Sequence, residues 1–396
     1  MSDKSNRGNV IRLAAAQALS MTTMNVNIIN TALVGAFLAP VAWLATVPLS
    51  LIFVASMMTT LPASLLMARF GRRPIFLGGV IFSSVGAFGL GAAIVFENFE
   101  LFCFCSLFLG VAVGCAGFYR YAAADSVGEA EKPKAISYVL AGGLAAALFG
   151  PEIARNTVDL VPGALYAGCF FTVGAVHLIS LLFLFGIKIQ RPQRKMSKGR
   201  PIGVFLKKPT FLVGMITAAV GYTLMSYLMT ATPLQVVNVA NLGTSANATI
   251  IQWHVVAMFG PSFFTGSLIA RFGVSRILLA GLLAYIATIY IAVYAIGFWP
   301  YWTALFLLGL GWNFLYIGGS SLVAKVATPE ERGRVQGFAD LVTTSMVAAG
   351  SLTAGILHSQ MGWVTMTLAA ILPVAIMALA IMWLIFDNRR ATPNAP

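Results

Sequence analysis

The hexapeptide "ARFGRR" at residues 68–73 lies between two long apolar runs, and a close copy, "ARFGVSR", follows at residues 270–276. Three arginines in six residues are unusual there. They could form a phosphate-binding or nucleic-acid patch, or they could mark one side of a membrane. The Arg-Phe-Gly core recurs after 202 residues, and a second pair, "EKPKA" at 131–135 and "ERGRV" at 331–335, recurs after 200 residues. Two such similar spacings predict a duplicated architecture.

The composition decides between these two meanings of the arginine cluster. Of the 396 residues, 59% are hydrophobic and only 9% are charged, whereas soluble proteins carry about 25% charged residues. The net charge of +13 therefore indicates a membrane before a nucleic acid, and we expect no nucleic-acid partner. Four cysteines lie in apolar runs without metal-ligand spacing, and we interpret them as packing residues rather than a disulfide framework. They are Cys103, Cys105, Cys115 and Cys169.

Twelve apolar stretches are each long enough, at about 20 residues or more, to cross a hydrocarbon core of about 30 Å as a helix. Their continuous apolar character favours helices over a barrel. They lie near residues 10–37, 43–68, 74–96, 100–123, 134–156, 163–187, 209–236, 246–270, 275–297, 299–324, 334–357 and 362–386. The sequence thus predicts an all-α integral membrane protein with 12 transmembrane helices. Two pseudo-symmetric six-helix bundles, residues 1–187 and 209–396, are joined by a basic cytoplasmic linker at 188–208.

The distribution of positive charge predicts the orientation, because cytoplasmic loops are enriched in lysine and arginine. With the N-terminus in the cytoplasm, all of the 25 lysines and arginines except Arg155 fall on the cytoplasmic side. An even number of spans then places both termini inside. The linker has eight basic residues and no acidic one, and we expect it to contact anionic lipid headgroups. We expect a monomer in the bacterial inner membrane.

The two arginine motifs resemble a signature of the major facilitator superfamily of secondary transporters, and the resemblance extends over essentially the whole chain. In that family the loop after the second helix reads Gly-x-x-x-Asp-Arg-x-Gly-Arg-Arg/Lys, and residues 64–73 here read "SLLMARFGRR". Ala68 and Ala270 stand where the family keeps an aspartate that helps to latch the cytoplasmic side. The fourth-helix arginine of many proton-coupled members corresponds to Ser106. Both departures argue against the standard proton-antiport mechanism.

The resemblance implies a midplane cavity between two bundles that rock to give alternating access. Within the family, "GFYRYAAADS" (117–126), "KAISYVLAGG" (134–143) and "GWNFLYIGGSSL" (311–322) are similar to a bacterial subgroup that includes alphaproteobacterial riboflavin importers. This implies uptake of riboflavin or a similar aromatic solute. A proton-coupled exporter of drugs or metabolites is the alternative, although the first helix lacks the usual embedded acid and the antiporter motif is reduced to Gly150-Pro151.

Motifs of two other function classes are missing from the chain. No Gly-x-x-x-x-Gly-Lys-Ser/Thr run is present, which argues against ATP-driven pumping. No His/Glu/Cys constellation suggests a membrane metalloenzyme. We therefore expect no enzymatic activity, no metal and no cofactor, and we expect the small-molecule solute to be bound by polar and aromatic groups inside the helices.

Candidate solute contacts occur in both halves. Asn27 and Asn30 share a face of the first helix at i, i+3, with interhelical hydrogen bonding as the alternative role. Trp312 and Tyr316 stack at i, i+4 in the tenth helix beside Asn313, which suits a planar heteroaromatic solute, although core packing also explains them. The other candidates are Tyr119, Arg120, Tyr222, Tyr227, Gln252 and His254. A hydrogen-bonded structural role is the alternative for His254, and headgroup contact is the alternative for Arg120.

Candidate gating residues lie mostly at the cytoplasmic ends of helices. They are Arg69, Arg72, Arg73, Asp125, Arg271 and Asp340. Our hypothesis is that Asp340 replaces the absent aspartate and pairs with Arg69 or Arg72 when the cytoplasmic side is closed. Glu152 and Arg155 form an i, i+3 pair near the outer end of the fifth helix, and we interpret them as a structural or outer-gate pair.

Overall fold

The computed structural model describes residues 3–128, 131–189, 200–328 and 331–391, with only the backbone described for 3–6, 132–133, 332–333 and 388–391. Most of the predicted linker, residues 190–199, lies outside the described residues. The side chains of several basic residues that define the predicted orientation also lie outside the described part. These are Lys4, Lys132, Arg191, Arg194, Lys195, Lys198, Arg332, Arg389 and Arg390.

Helices account for nearly all of the described chain. Those of the first half are α1 (Asp3–Leu38), α2 (Val47–Phe70), α3 (Arg72–Val95), α4 (Phe99–Ala116), α5 (Tyr119–Ala124), α6 (Lys132–Leu140), α7 (Gly142–Thr157) and α8 (Ala167–Phe185). Those of the second half are α9 (Ile202–Phe205), α10 (Pro209–Pro233), α11 (Thr244–Phe259), α12 (Ser262–Phe272), α13 (Val274–Val293), α14 (Phe298–Lys325), α15 (Arg332–Ala369) and α16 (Ile371–Ala391). A π-helical turn, Leu234–Val239, extends α10.

Most of these helices are long apolar segments of the kind that cross a membrane. Among the described residues, ten helical stretches are long and apolar enough to cross a membrane, or eleven if α11 and α12, which are bent by 44°, form one span. The longest stretch, Arg334–Asp387, contains a break at Gly362, where φ is 74°. Division at this glycine gives the twelve predicted spans. The all-helical membrane fold is thereby confirmed.

The same tight connection occurs in both halves of the chain. Gly71 joins α2 to α3 with φ 90°, and Gly273 joins α12 to α13 with φ 83°. Glycine is the residue that adopts positive φ without a steric penalty. The arginine two residues earlier lies over the following phenylalanine ring in each case, 5.2 Å away for Arg69 and 5.3 Å away for Arg271. The repeated motif therefore builds the same local structure twice.

The described chain divides into two compact units whose boundaries cut through two helices. Unit 1 comprises Met1–Arg194 with Thr230–Gln252, and unit 2 comprises Lys195–Met229 with Trp253–Pro396. The end of α10 and the first half of α11 thus belong to the same unit as α1 to α8. The predicted bundles were divided at the linker instead, at residues 188–208.

Small residues allow the helices of each unit to approach closely. In unit 1, a Cβ added to Gly110 of α4 would lie 2.4 Å from the carbonyl oxygen of Ile52 in α2. In unit 2, a Cβ added to Gly309 of α14 would lie 2.4 Å from the carbonyl oxygen of His254 in α11. Such seams are typical of membrane helices, whose association depends on close packing rather than on the hydrophobic effect.

Aromatic and aliphatic side chains fill the core of each unit. In unit 1 one cluster contains Phe76 and Tyr119, and another contains Phe102 and Phe170. The four cysteines are free thiols, and all except Cys103 are buried. In unit 2 the short helix α9 contributes Phe205 to a cluster with Phe211, Val323 and Val335.

Candidate functional site

An aromatic cluster in unit 2 contains three of the predicted solute contacts. Trp312 and Tyr316 stack with ring centroids 5.0 Å apart and an interplanar angle of 9°. Tyr222 of α10 meets both rings edge-on, at 5.4 Å and 5.5 Å, and Phe259 of α11 meets Trp312 edge-on at 5.8 Å. Trp312 is buried, whereas Tyr222 and Tyr316 are half-buried. The cluster therefore presents tyrosine rings at its accessible side.

The indole N–H of Trp312 is a hydrogen-bond donor that the described residues leave unpaired. Its Nε1 is buried and meets no hydrogen-bond partner within the described residues. An unpaired buried donor is costly, and an indole N–H can only donate. The site can thus offer one donor beside an aromatic surface.

Asn313, the third predicted contact of this helix, is fully buried and bonded to protein. Its Nδ2 donates to the carbonyl oxygen of Met258 and to Ser262 Oγ, both at 2.6 Å. Its Oδ1 accepts from Thr265 Oγ1 at 2.6 Å. These partners lie on either side of the break between α11 and α12. Asn313 therefore fixes the bend and supports the neighbouring Trp312 rather than facing an open site.

The side chains of Tyr227 and His254 connect helices within unit 2. Tyr227 Oη donates to the carbonyl oxygen of Met366 at 2.8 Å. His254 is fully buried, and its Nδ1 donates to the carbonyl oxygen of Leu305 at 2.7 Å. Its Nε2 has no partner among the described side chains and backbone groups. The observed contacts correspond to the structural alternative that the sequence left open for His254.

The two predicted asparagines of α1 bond within their own helix. Asn27 Nδ2 donates to the carbonyl oxygen of Thr23 at 2.8 Å, and Asn30 Nδ2 donates to that of Val26 at 3.1 Å. The interhelical asparagine is Asn25, whose Nδ2 donates to the carbonyl oxygen of Ala146 in α7 at 2.9 Å. Periodicity cannot distinguish these amides, because it gives no information on which helix lies opposite each one.

A small cavity in unit 1 joins Asn27 to a buried histidine. The cavity is about 10 Å³ in volume, enough for a single water, and it is lined by Asn27, Ser83 and His177 among others. Ser83 Oγ lies 2.9 Å from His177 Nε2. Asn27 Oδ1 has no partner in the described part of the chain. Asn27 therefore faces a pocket that is too small for an organic solute.

At the C-terminal end of the fourth predicted span, Tyr119 and Arg120 have different surroundings. Tyr119 is buried against Phe76, edge-on at 4.7 Å, and belongs to the core. Arg120 lies over the ring of Tyr121 at 4.8 Å, and its Nη2 donates to the Tyr121 hydroxyl at 3.0 Å. Tyr121, which is not among the predicted solute contacts, therefore contacts the guanidinium of Arg120.

Two of the gating candidates of unit 1 contact each other at the start of α3. Arg72 forms an ion pair with Asp125, and its Nη1 donates to the carbonyl oxygen of Phe118 at 3.3 Å. Arg73 lies 6.0 Å from the ring of Phe185. Arg72 thus already has a carboxylate partner within its own unit. Asp340 is half-buried on α15 in unit 2, and its pairing with Arg69 or Arg72 stays a prediction.

Gln252, a predicted solute contact, accepts a hydrogen bond from an arginine. Arg155 Nη2 donates to Gln252 Oε1 at 3.1 Å and to Thr249 Oγ1 at 3.0 Å. Arg155 also forms an ion pair with Glu152 one turn earlier in α7. All four residues belong to unit 1. The sequence indicated the Glu152–Arg155 pair from its i, i+3 spacing, but nothing in it indicated the contact with α11.

The sequence profile of the Major Facilitator Superfamily matches residues 13–262 and 244–396. These two ranges together cover nearly the whole chain. The chain belongs to the Major Facilitator Superfamily. As a member of this superfamily it is a multi-pass membrane transporter, and the resemblance inferred from the duplicated arginine motif is confirmed.

Relatives and solved structures of the superfamily match over most of their length. The riboflavin transporter RfnT of Brucella anthropi is 37% identical over 365 residues, which cover 91% of each chain. A bacterial homologue of the human lysosomal transporter Spinster, in an inward-facing and unoccupied conformation, has a TM-score of 0.73 at 15% identity and covers 96% of this chain and 97% of its own. The nucleoside transporter NupG has a TM-score of 0.69 at 15% identity, with coverage of 95% and 99%.

Proposed function

We propose that this superfamily member takes up riboflavin, or a solute with a similar fused aromatic ring, by alternating access. The observation that carries the proposal is the half-buried pair Tyr222 and Tyr316 around Trp312 in unit 2. Support also comes from the 37% identical relative, which is named a riboflavin transporter. A planar ring system binds well to such aromatic surfaces, because offset-stacked and edge-on contacts are favourable.

The proposed binding mode uses both parts of the aromatic cluster. Tyr222 and Tyr316 contact the faces or edges of the solute ring. Trp312 donates its free indole N–H to a ring carbonyl oxygen, which removes the cost of the unpaired donor. Asn313 holds the bend beside the site without touching the solute.

We also propose a location, a membrane orientation and an oligomeric state for the transporter. The positive-charge distribution supports a location in the bacterial inner membrane with both termini in the cytoplasm. The basic residues at the end of the linker, Lys207 and Lys208, support contact with anionic lipid headgroups. Two six-helix bundles in one chain suffice for alternating access, so we propose a monomer without cofactor or enzymatic activity.

A ligand screen of the purified protein tests the proposed solute. Thermal unfolding is measured with riboflavin, its phosphorylated form, unrelated nucleosides and a lipophilic cation. We expect riboflavin to raise the unfolding temperature in a saturable manner, because a ligand that binds only the folded state stabilises it. Uptake of labelled riboflavin into proteoliposomes is then compared with and without a pH gradient. Stabilisation by the lipophilic cation but not by riboflavin would overturn the proposal in favour of a drug exporter.

A further inference from the structure

Arg155 makes a contact that joins the fifth span to the eighth. Its Nη2 donates to Thr249 and Gln252 of α11, while its Nη1 pairs with Glu152 of its own helix. The Arg155 side chain is 23% exposed, and its hydrogen bonds to Thr249 and Gln252 are partly buried. In the orientation predicted from the positive charges, Arg155 is the one basic residue on the outer side of the membrane.

Two further contacts fix the same segment to the first-half helices. Asn247 Nδ2 donates to the carbonyl oxygen of Ile29 in α1 at 3.3 Å. Leu234, in the π-helical turn, packs in one buried cluster with Ala32 and Leu33 of α1. Together with the Arg155 contact, they explain why Thr230–Gln252 belongs to unit 1. Residues Leu234 to Gln252 are thus held by α1 and α7 at three places.

The chemistry of the Arg155 contact suits a bond that must open. Both of its acceptors in α11 are neutral, so it lacks the strength of an ion pair between helices. The carboxylate of Glu152 lies one turn away on the same helix and moves with the arginine. When the hydrogen bonds to Thr249 and Gln252 break, the Arg155 guanidinium therefore still has Glu152 as a partner. It avoids the high cost of a buried charge that is left unpaired when an ion pair is broken.

We propose that Arg155, oriented by Glu152, is a latch that closes the outer side of the transporter by its hydrogen bonds to Thr249 and Gln252. The latch must release before a solute can enter from outside. Gln252 is therefore a gating residue rather than a solute contact. The inference rests on the proposed alternating access and on the orientation given by the positive charges.

The test measures opening directly, without any solute. Ala32 is fully buried and clusters with Leu234, so a cysteine at this position reports release of the segment. Ala32→Cys is introduced into the parent chain and into Arg155→Ala, and intact cells are labelled with a membrane-impermeant maleimide. The parent chain without Ala32→Cys gives the background from the native thiols. We expect Arg155→Ala to increase the rate of labelling severalfold.

Two matched variants separate a latch from a general loosening of the helix. Asn156 is adjacent to Arg155 and donates to the carbonyl oxygen of Glu152 in its own helix, so Asn156→Ala is expected to label like the parent. Gln252→Glu turns the contact into an ion pair and is expected to slow both labelling and transport. Equal rates for Arg155→Ala and Asn156→Ala, or faster labelling in Gln252→Glu, would overturn the proposal.

The side of the membrane on which labelling increases is a further test of the latch. An Arg155→Ala protein whose labelling increases only in inverted vesicles contradicts the outer location of the latch. Arg155→Lys, which keeps the charge and one donor direction, provides a second variant if Arg155→Ala does not fold, and it is expected to label at an intermediate rate. A failure of riboflavin to bind leaves the labelling result unaffected, so the latch and the proposed solute are tested separately.

Discussion

Arg200 holds Glu331 by three hydrogen bonds. Its Nε donates to Oε1 at 2.8 Å, its Nη2 donates to Oε2 at 2.6 Å, and its backbone N–H donates to Oε1 at 2.9 Å. Glu331 is 5% exposed and immediately precedes α15. Bidentate pairs of this kind are among the strongest hydrogen bonds in proteins. The end of the linker is thus fixed to the start of the eleventh span within unit 2.

The Arg200 hydrogen bonds lower the pKa of Glu331 well below its ordinary range. We expect Glu331→Gln to lower the unfolding temperature of the purified protein at neutral pH. A carboxylate with a lowered pKa stabilises the fold above its unfolded pKa of about 4.3, and this contribution is lost as the pH falls through the folded pKa. The difference in unfolding temperature between parent and variant should therefore be constant from pH 8 to 5 and shrink below about pH 4. Glu97→Gln, at an exposed loop position, serves as the control for removal of a carboxylate.

Removal of an aromatic ring from the cluster should weaken solute binding. We expect Tyr316→Leu to raise the riboflavin Kd by roughly 2- to 10-fold, because an aromatic pair contributes about 0.5–1.5 kcal/mol beyond its buried area. Titration with riboflavin fluorescence measures the change. Tyr227→Phe removes only the hydrogen bond to Met366 and should leave the Kd unchanged. A normal Kd in Tyr316→Leu would exclude this cluster as the binding site.

Asn313 should matter for stability more than for contact with the solute. Asn313→Ala removes three hydrogen bonds at the α11–α12 break and leaves buried partners unsatisfied. We expect a loss of about 1–3 kcal/mol in the free energy of unfolding, measured by thermal or denaturant unfolding in detergent. Saturating riboflavin should still stabilise the variant. A variant as stable as the parent that has lost riboflavin binding would instead identify Asn313 as a direct contact.

The close helix contact at Gly110 should not tolerate a larger side chain. A methyl group there would lie 2.4 Å from the Ile52 carbonyl oxygen, so α2 and α4 must separate. We expect Gly110→Ala to cost about 1–3 kcal/mol of stability, seen as a lower unfolding temperature and less folded protein in the membrane. Gly266→Ala is the control, because a methyl group at this exposed position of α12 meets nothing within 4 Å. This control should be neutral or slightly stabilising.

The proposed replacement of the missing aspartate by Asp340 predicts a change in access from the cytoplasm. We expect Asp340→Asn to slow uptake and to increase labelling of cytoplasmic-side reporter cysteines, because the closed cytoplasmic side loses an ion pair with Arg69 or Arg72. Asp387→Asn, near the end of α16, provides a control for removal of a carboxylate. Unchanged uptake together with unchanged labelling means that another group closes this side.

The helices and the duplication could be predicted from sequence because both depend on local information. A continuous apolar run of about 20 residues must satisfy its own backbone in lipid, and a helix does so within the segment. The Arg-Phe-Gly copies require a glycine at positive φ in each half, and Gly71 and Gly273 both adopt it. These features need no knowledge of which helices are neighbours.

The partners of the polar side chains were decided by the tertiary structure. Arg155 and Gln252 are 97 residues apart in the chain and become hydrogen-bonded only because α7 and α11 pack together. Asn25 and Asn27 are two residues apart on one helix, yet Asn25 bonds to α7 and Asn27 faces a small cavity. Helical periodicity predicts the face on which a residue lies, whereas the opposing helix depends on packing throughout the unit. The sequence therefore determined what kind of protein this is, and only the fold determined which of its polar groups join helices and which remain available to a solute.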